Sequence, residues 1–196
     1  SIEESLRRLG VESADAVLLN KIGLLDLERQ FKPGGALAGL QEVRKRGLTR
    51  YLGLSGHMLT RAFVRTLESG EFDLAMFVVN FVDRHTYNFE GKVIPVARKH
   101  NAGIVAMKVL GGSASGYERR DQRAKLADSD LEPAIHYALG VSSVCTAVIG
   151  CKSIEHVRLA GQAARRYRPM SREQHQALMK HGERLAKEWG QHLGEV

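Results

Sequence analysis

The stretch ALAGLQEVRKRGLTRYLGLSGH, residues 36–57, decides how this sequence is read. Leu37, Leu40 and Val43 recur at spacing three and Gly47 stops the pattern, which predicts a helix over 36–46. A short apolar run, 50–55, follows and turns polar at Ser55-Gly56-His57. Helix, glycine stop, strand and polar strand end make one repeating unit. Outward from it, further apolar runs lie at 14–20, 74–80, 103–108 and 146–150. Helical patterns are predicted over 59–68, 92–100, 131–139 and 153–164. Strands alternating with helices predict a parallel sheet, because parallel neighbours can be joined only by a crossover, usually a helix. Asn20, Ser55-Gly56-His57, Asn80, Lys108 and Lys152-Ser153 stand where the apolar runs stop. In barrels and in open α/β sheets alike, that edge is where ligands bind.

The ends of the chain follow the same logic. Ser1-x-x-Glu4 reads as a capping box before a short helix carrying Leu6 and Leu9 and ending at Gly10. A beginning inside such a helix, with Ser in place of Met, leads us to expect preceding chain in the natural protein. Between the first two strands, a polar loop of about fifteen residues through Lys32-Pro33-Gly34-Gly35 is long enough to expect a binding role. Ser171 is the predicted N-cap of a last amphipathic helix, Arg172–Trp189, outside the alternation.

With 196 residues, the chain suits a single domain, 1–196, with a sizeable core. A charge of +7 raises nucleic acid as a partner, but the basic residues are dispersed. Arg44-Lys45-Arg46 and Arg165-Arg166-Tyr167-Arg168 fall at predicted helix ends, where cations complement the dipole. The reading is therefore no nucleic acid, and no membrane, because no apolar run approaches the ~18–20 residues of a span. Nothing at the start reads as a signal peptide. Cys145 and Cys151 match neither a redox nor a zinc spacing, and are expected to be buried, reduced thiols of a cytoplasmic protein. No metal site is expected.

Three segments could carry chemistry. Ser153 can cap a helix whose amides favour phosphate, with Lys152 before it and Arg158 one to two turns on. The alternative is an ordinary serine cap beside two exposed cations. The loop Gly111–Gly116 could cradle a pyrophosphate or be a flexible turn; it is neither a Walker loop nor a Rossmann fingerprint. Asp83-Arg84-His85 is either a polar rim or part of a substrate pocket. Ser55-Gly56-His57 is not a nucleophile elbow.

These residues resemble the aldo-keto reductases along essentially the whole chain. Ser5-Leu6-Arg7-Arg8-Leu9-Gly10-Val11 resembles the approach to that family's fourth barrel strand. Leu40-x-x-Val43-Arg44-Lys45-x-Gly47-x-x-Arg50-Tyr51-Leu52-Gly53-Leu54-Ser55 resembles its helix 4–strand 5 signature, and Val148-Ile149-Gly150-Cys151-Lys152-Ser153 its eighth-strand cofactor motif. Asn80-Phe81-x-Asp83-Arg84 and Ala106-Met107-Lys108-x-Leu110-Gly111-Gly112 add two further ordered matches.

The resemblance implies an α/β fold of (β/α)8 TIM-barrel type, here incomplete, with five consecutive parallel β/α units and a carboxyl-terminal helix. It implies NADP(H) as cofactor and small-molecule aldehydes or ketones as substrates. It also implies that the family's catalytic Asp, Tyr and Lys lie before this chain's first strand, so that the chain is truncated relative to the family and inactive by itself. Asn20 stands at the catalytic His position and cannot act as an ionisable acid. Ser55, Met76 and Met107 fall at nicotinamide-facing positions. Lys108 ends the seventh strand, and Leu110, Gly111 and Gly112 match the pyrophosphate loop. Lys152, Ser153 and Arg158 match the 2′-phosphate grip, and Gln162 stands where an adenine-facing Asn is common.

Two alternatives remain: a catalytically silent NADP-binding or regulatory module, and an open, doubly wound nucleotide-binding domain. The barrel reading requires strands in sequential order, whereas a doubly wound sheet would place its first strand inside. Leu18, Leu52, Leu54, Ala75, Phe77 and Val105 are the expected barrel-interior residues. Five strands would leave that face open, to be covered by a second copy or by an amino-terminal segment.

Overall fold

A parallel sheet with sequential crossovers is what the repeating unit demands, and the computed structural model, which describes residues 1–112 and 125–196, contains it. The strands are β1 (Ala14–Leu19), β2 (Thr49–Ser55), β3 (Leu74–Val78), β4 (Gly103–Met107) and β5 (Val144–Ala147). All neighbours are parallel and the order is β1-β2-β3-β4-β5. No strand order reverses, which removes the doubly wound alternative.

Among the described residues, the helices in chain order are α1 (Ile2–Leu9), α2 (Leu27–Phe31), α3 (Ala36–Lys45), α4 (Thr60–Leu67), α5 (Phe89–Lys92), α6 (Ile94–Lys99), α7 (Leu131–Gly140), α8 (Ile154–Arg165) and α9 (Arg172–Trp189). The predicted helix over 92–100 is divided at Val93, which is fully buried, with Pro95 in the first turn of α6. The expected polar loop before residue 36 is partly helical. Ile22 is buried in a 3₁₀ turn, and Asp26 caps α2 by accepting the Arg29 N–H at 3.2 Å. Residues 113–116 of the glycine-rich loop, and Tyr117, lie outside the described residues.

Strand parity decides which face is which. Leu52, Leu54, Ala75, Phe77, Ile104 and Ala106 are fully buried, and the register aligns Leu54 with Ala75 and Ile104. This face looks onto the helices. Phe77 stacks on Phe89 of α5 at 5.2 Å, and Phe63 of α4 meets both rings edge-on. Leu52, Leu54, Ala75 and Phe77 therefore line the helix-facing core and not the barrel interior. The interior face is the alternate set: Leu18, Leu74, Met76, Val105 and Met107 are half-buried, and Val78, the register partner of Met107, is buried. Alternation along a strand assigns faces only relative to one another, and a strand apolar on both sides gives no sign of which faces the helices.

The basic groups fall at helix ends as expected. Arg44, in the last turn of α3, lies 3.7 Å from Asp73, and Arg166, after α8, reaches Glu132 at 2.9 Å. No helix among the described residues is long and apolar enough to cross a membrane.

Candidate functional site

At the carboxyl ends of β1 and β2, the chain turns polar because the apolar runs end there. Asn20 accepts the Ser55 hydroxyl through Oδ1 at 2.9 Å and the Lys21 N–H at 2.8 Å. With Oδ1 committed, the Nδ2 group is the end of Asn20 that can meet a ligand, as a hydrogen-bond donor and not as an acid. Ser55 is nearly buried, and Met76 is its register partner on β3. The structure thus brings Asn20, Ser55 and Met76 together. It adds His57, which the sequence places at the polar end of β2 without giving it a role. Burial, then the nearby charge of Lys108, pushes this imidazole down to about 4, so it is neutral near pH 7. The only sequence signal for it was its position two residues past a strand end.

The ends of β3 and β4 are joined by a buried polar network. Asn80 and Asp83 are both buried. Asn80 Oδ1 accepts the N–H groups of Val82 (3.0 Å) and Asp83 (2.7 Å), a turn typical of Asn. Its Nδ2 donates to Asp83 Oδ2 at 2.7 Å and to the Lys108 carbonyl at 3.0 Å. His192, from the tail after α9, pairs with Asp83 Oδ1 at 2.8 Å. Asp83-Arg84-His85 is therefore not one cluster. Asp83 points inward, His85 is exposed, and Arg84 turns to the helical side, 3.0 Å from Glu90 and from the Tyr137 hydroxyl.

Arg84, Glu90 and Tyr137, with His175 of α9, line a cavity of about 340 Å³. Burial raises the Glu90 carboxyl against the opposing pull of Tyr137 and Arg84, and raises the Tyr137 phenol. Tyr87, a conceivable substitute proton donor, is fully buried. Its hydroxyl accepts the Leu193 N–H at 2.8 Å and donates to the Gly194 carbonyl at 3.1 Å, so it is not free to serve a substrate.

After β4 the chain makes a tight turn. Lys108 is left-handed (φ 55°), and its carbonyl accepts the Gly111 N–H at 2.8 Å. Gly111 has φ 75°, and a Cβ there would overlap the Trp189 ring, so only glycine fits. Among the described residues the amides of Leu110 and Gly112 carry no backbone hydrogen bond, and these are what the loop can offer an anion. Met107 is half-buried on the interior face.

Beyond β5, Ser153 caps α8 by accepting the His156 N–H at 3.1 Å. Lys152 and Gln162 are exposed, and Arg158 lies 3.8 Å from Glu155 with both side chains mostly in solvent. Cys145 and Cys151 are exposed, contrary to expectation: Cys145 sits on β5, an edge strand among the described residues, and Cys151 lies in the segment beyond it. Among the described residues no group of three His, Cys, Asp or Glu side chains could hold a metal ion.

A sequential parallel sheet with polar groups along one edge is the arrangement of part of a barrel. The aldo/keto reductase family model matches residues 1–196, and the chain belongs to that family. Among solved structures it is similar to aldo-keto reductase AKR11C1 from Bacillus halodurans in its holo form, with 21% identity and a TM-score of 0.68. It is also similar to an aldo-keto reductase from Klebsiella pneumoniae in complex with NADPH, with 20% identity and a TM-score of 0.66. Each alignment covers 91% of this chain, but only 64% and 62% of the respective relatives, so the chain spans under two thirds of their length. No curated protein matches it significantly.

Proposed function

We propose that residues 1–196 form one domain, the cofactor-binding part of an NADP(H)-dependent oxidoreductase that reduces small aldehydes or ketones in the cytoplasm. The observation that carries this reading is the order of groups along one sheet edge. The Asn20–Ser55 pair lies at β1–β2, the Lys108–Gly112 turn at β4 and the Ser153-capped α8 beyond β5. They form a row that suits a dinucleotide laid with nicotinamide at one end and 2′-phosphate at the other. The residues fit the group: Ser55, Met76 and Met107 would face nicotinamide, Leu110 and Gly112 would offer amides to pyrophosphate, and Lys152, Ser153 and Arg158 would take the 2′-phosphate. Gln162 would face adenine.

When bound, NADPH supplies a hydride to the carbonyl carbon; the carbonyl oxygen then needs a proton. Asn20 can orient that oxygen through Nδ2 but has no proton to give. The donor must come from barrel units beyond the five in this chain, or the activity is absent. The half-buried interior face of Leu18, Leu74, Met76, Val105 and Met107 suits cover by such units or by a second copy. The catalytically silent module remains the second reading, favoured by the hydrogen bond that ties Asn20 to Ser55.

Titration of nucleotide against intrinsic fluorescence tests the cofactor. NADPH should bind more tightly than NADH, and Lys152→Ala with Arg158→Ala should weaken NADPH about tenfold or more while sparing NADH. Equal affinities, or no effect of the double substitution, sink the assignment. Residues 1–196 alone should give no aldehyde-dependent NADPH oxidation; steady turnover by a mass-verified chain would show that the proton donor is here after all.

A further inference from the structure

The tail after α9 is tied to the loops behind three strands. The Leu59 N–H after β2 donates to the Glu195 carbonyl at 3.1 Å, the Tyr87 hydroxyl after β3 bonds both Leu193 and Gly194, and His192 meets Asp83. Behind β4, Trp189 lies against Gly111. The contact at His192 is the one that matters, because Asp83 is a carboxylate only 2% exposed. Such a group is stable when its oxygens are paired. Asn80 supplies one partner and His192 the other.

We propose that His192 is a positioning residue for the turn Lys108–Gly112, acting through Asp83 and Asn80. This rests on the cofactor reading above. His192 fixes Asp83, and Asp83 holds the Asn80 amide. That amide's Nδ2 grips the Lys108 carbonyl, which also receives the Gly111 N–H. Lys108 keeps a left-handed backbone, which strains a non-glycine residue and persists only where its surroundings hold it. The relay is one such hold, beside the Lys125 N–H that donates to the Gly112 carbonyl at 3.1 Å. Without the His192 donor, Asp83 Oδ1 loses its partner, the Asn80 amide is free to follow the carboxylate, and the turn can relax. The amides of Leu110 and Gly112 then lose the positions that the turn gives them. Lys152, Ser153 and Arg158 lie beyond β5 at the start of α8, and none of the hydrogen bonds of this relay involves them. Among the described residues, the other charged or ring groups near the relay include Lys125 and Tyr87, which both feel Asp83, and Trp189, whose ring stands edge-on to His192 at 5.2 Å.

Two ligands separate the ends of the site: NADPH needs the β4 turn, whereas adenosine 2′,5′-bisphosphate needs only the 2′-phosphate and adenine contacts. In the full-length protein, His192→Phe keeps a ring but removes the donor. It should weaken NADPH about tenfold while changing the bisphosphate by less than about twofold. His192→Gln, which can still donate to Asp83, should restore most of the loss. Asp83→Asn should repeat the selective loss, and carries the test if the Phe variant melts too low to titrate. Equal weakening of both ligands would assign His192 a general structural role and overturn the proposal, as would unchanged NADPH affinity or failure of Gln to rescue. If the unaltered protein binds the bisphosphate but not NADPH, the proposal fails while the 2′-phosphate site stands. If it binds neither, the cofactor reading itself fails.

Discussion

The ends of β2–β4 and the segment from β5 through α8 are parts of one sheet edge, yet they are built differently. Around β2–β4, Asn80, Asp83 and Tyr87 are buried, and Asp83 and Tyr87 are bonded to a tail more than a hundred residues away in sequence. Around β5 and α8, Val148, Ile154 and Val157 are 49%, 72% and 58% exposed, both thiols face solvent, and the candidate phosphate grip is held by little beyond one serine cap. The first region is specified by tertiary contacts and the second by a local helix start. The lesson is that a site can be assembled from a pre-organised half and a half that is only locally ordered. In the function proposed above, chemistry that needs precise geometry falls to the former and capture of a charge to the latter.

The largest test of that contrast is packing. Phe63 is fully buried, 5.1 Å from Phe89 and 5.9 Å from Phe77, so Phe63→Ala should cost about 3–5 kcal/mol in denaturant unfolding. Val157→Ala on exposed α8 should stay within about 0.5 kcal/mol. Comparable losses at both sites would mean that α8 is covered in solution, and would erase the distinction.

A second test uses pH. His57 in the fold is pushed down to about 4 from an ordinary value of 6.5, chiefly by burial and then by Lys108. The unfolded chain therefore takes up a proton at this residue at higher pH than the folded chain does. Stability should be unaffected by His57 above about pH 6.5 and should fall as pH drops from there toward 4. His57→Gln should flatten that slope in urea melts taken across the window. An unchanged slope would place His57 in water and remove it from the ordered half of the site.

The same contrast explains what was legible in the sequence. The strand starts at Ala14, Leu74 and Gly103 and the helix ends at Gly10 and Trp189 follow from local pattern, which period and capping encode directly. The last strand was displaced: it was expected over 146–150 and runs Val144–Ala147. A register shift between Ile104 and Val105 moves the pairing, and Val148 still donates to Ala106 from beyond the strand end. Ser153 as a cap was readable because its partner is three residues away. The link from Asp83 to His192 was not, because nothing in either segment refers to the other across 109 residues. The exposed thiols were misjudged for a related reason. Strand composition at 144–147 does not say that β5 is an edge.

The smallest effect is the most local. Ser153→Ala removes the hydroxyl that accepts the His156 N–H at 3.1 Å, on a helix with only Ala163 fully buried. Loss of such a cap costs about 1 kcal/mol. Because α8 has few tertiary anchors, that cost should appear as faster amide exchange confined to its first turns, with little change in the global melt. In the β2–β4 region a comparable lost bond would register globally, since its partners are shared with the core. Measuring exchange across α8 in Ser153→Ala therefore separates the two kinds of construction. Protection lost only at the start of α8 keeps the halves distinct, whereas protection lost in β3 and β4 as well would mean that the phosphate end is coupled to the ordered half.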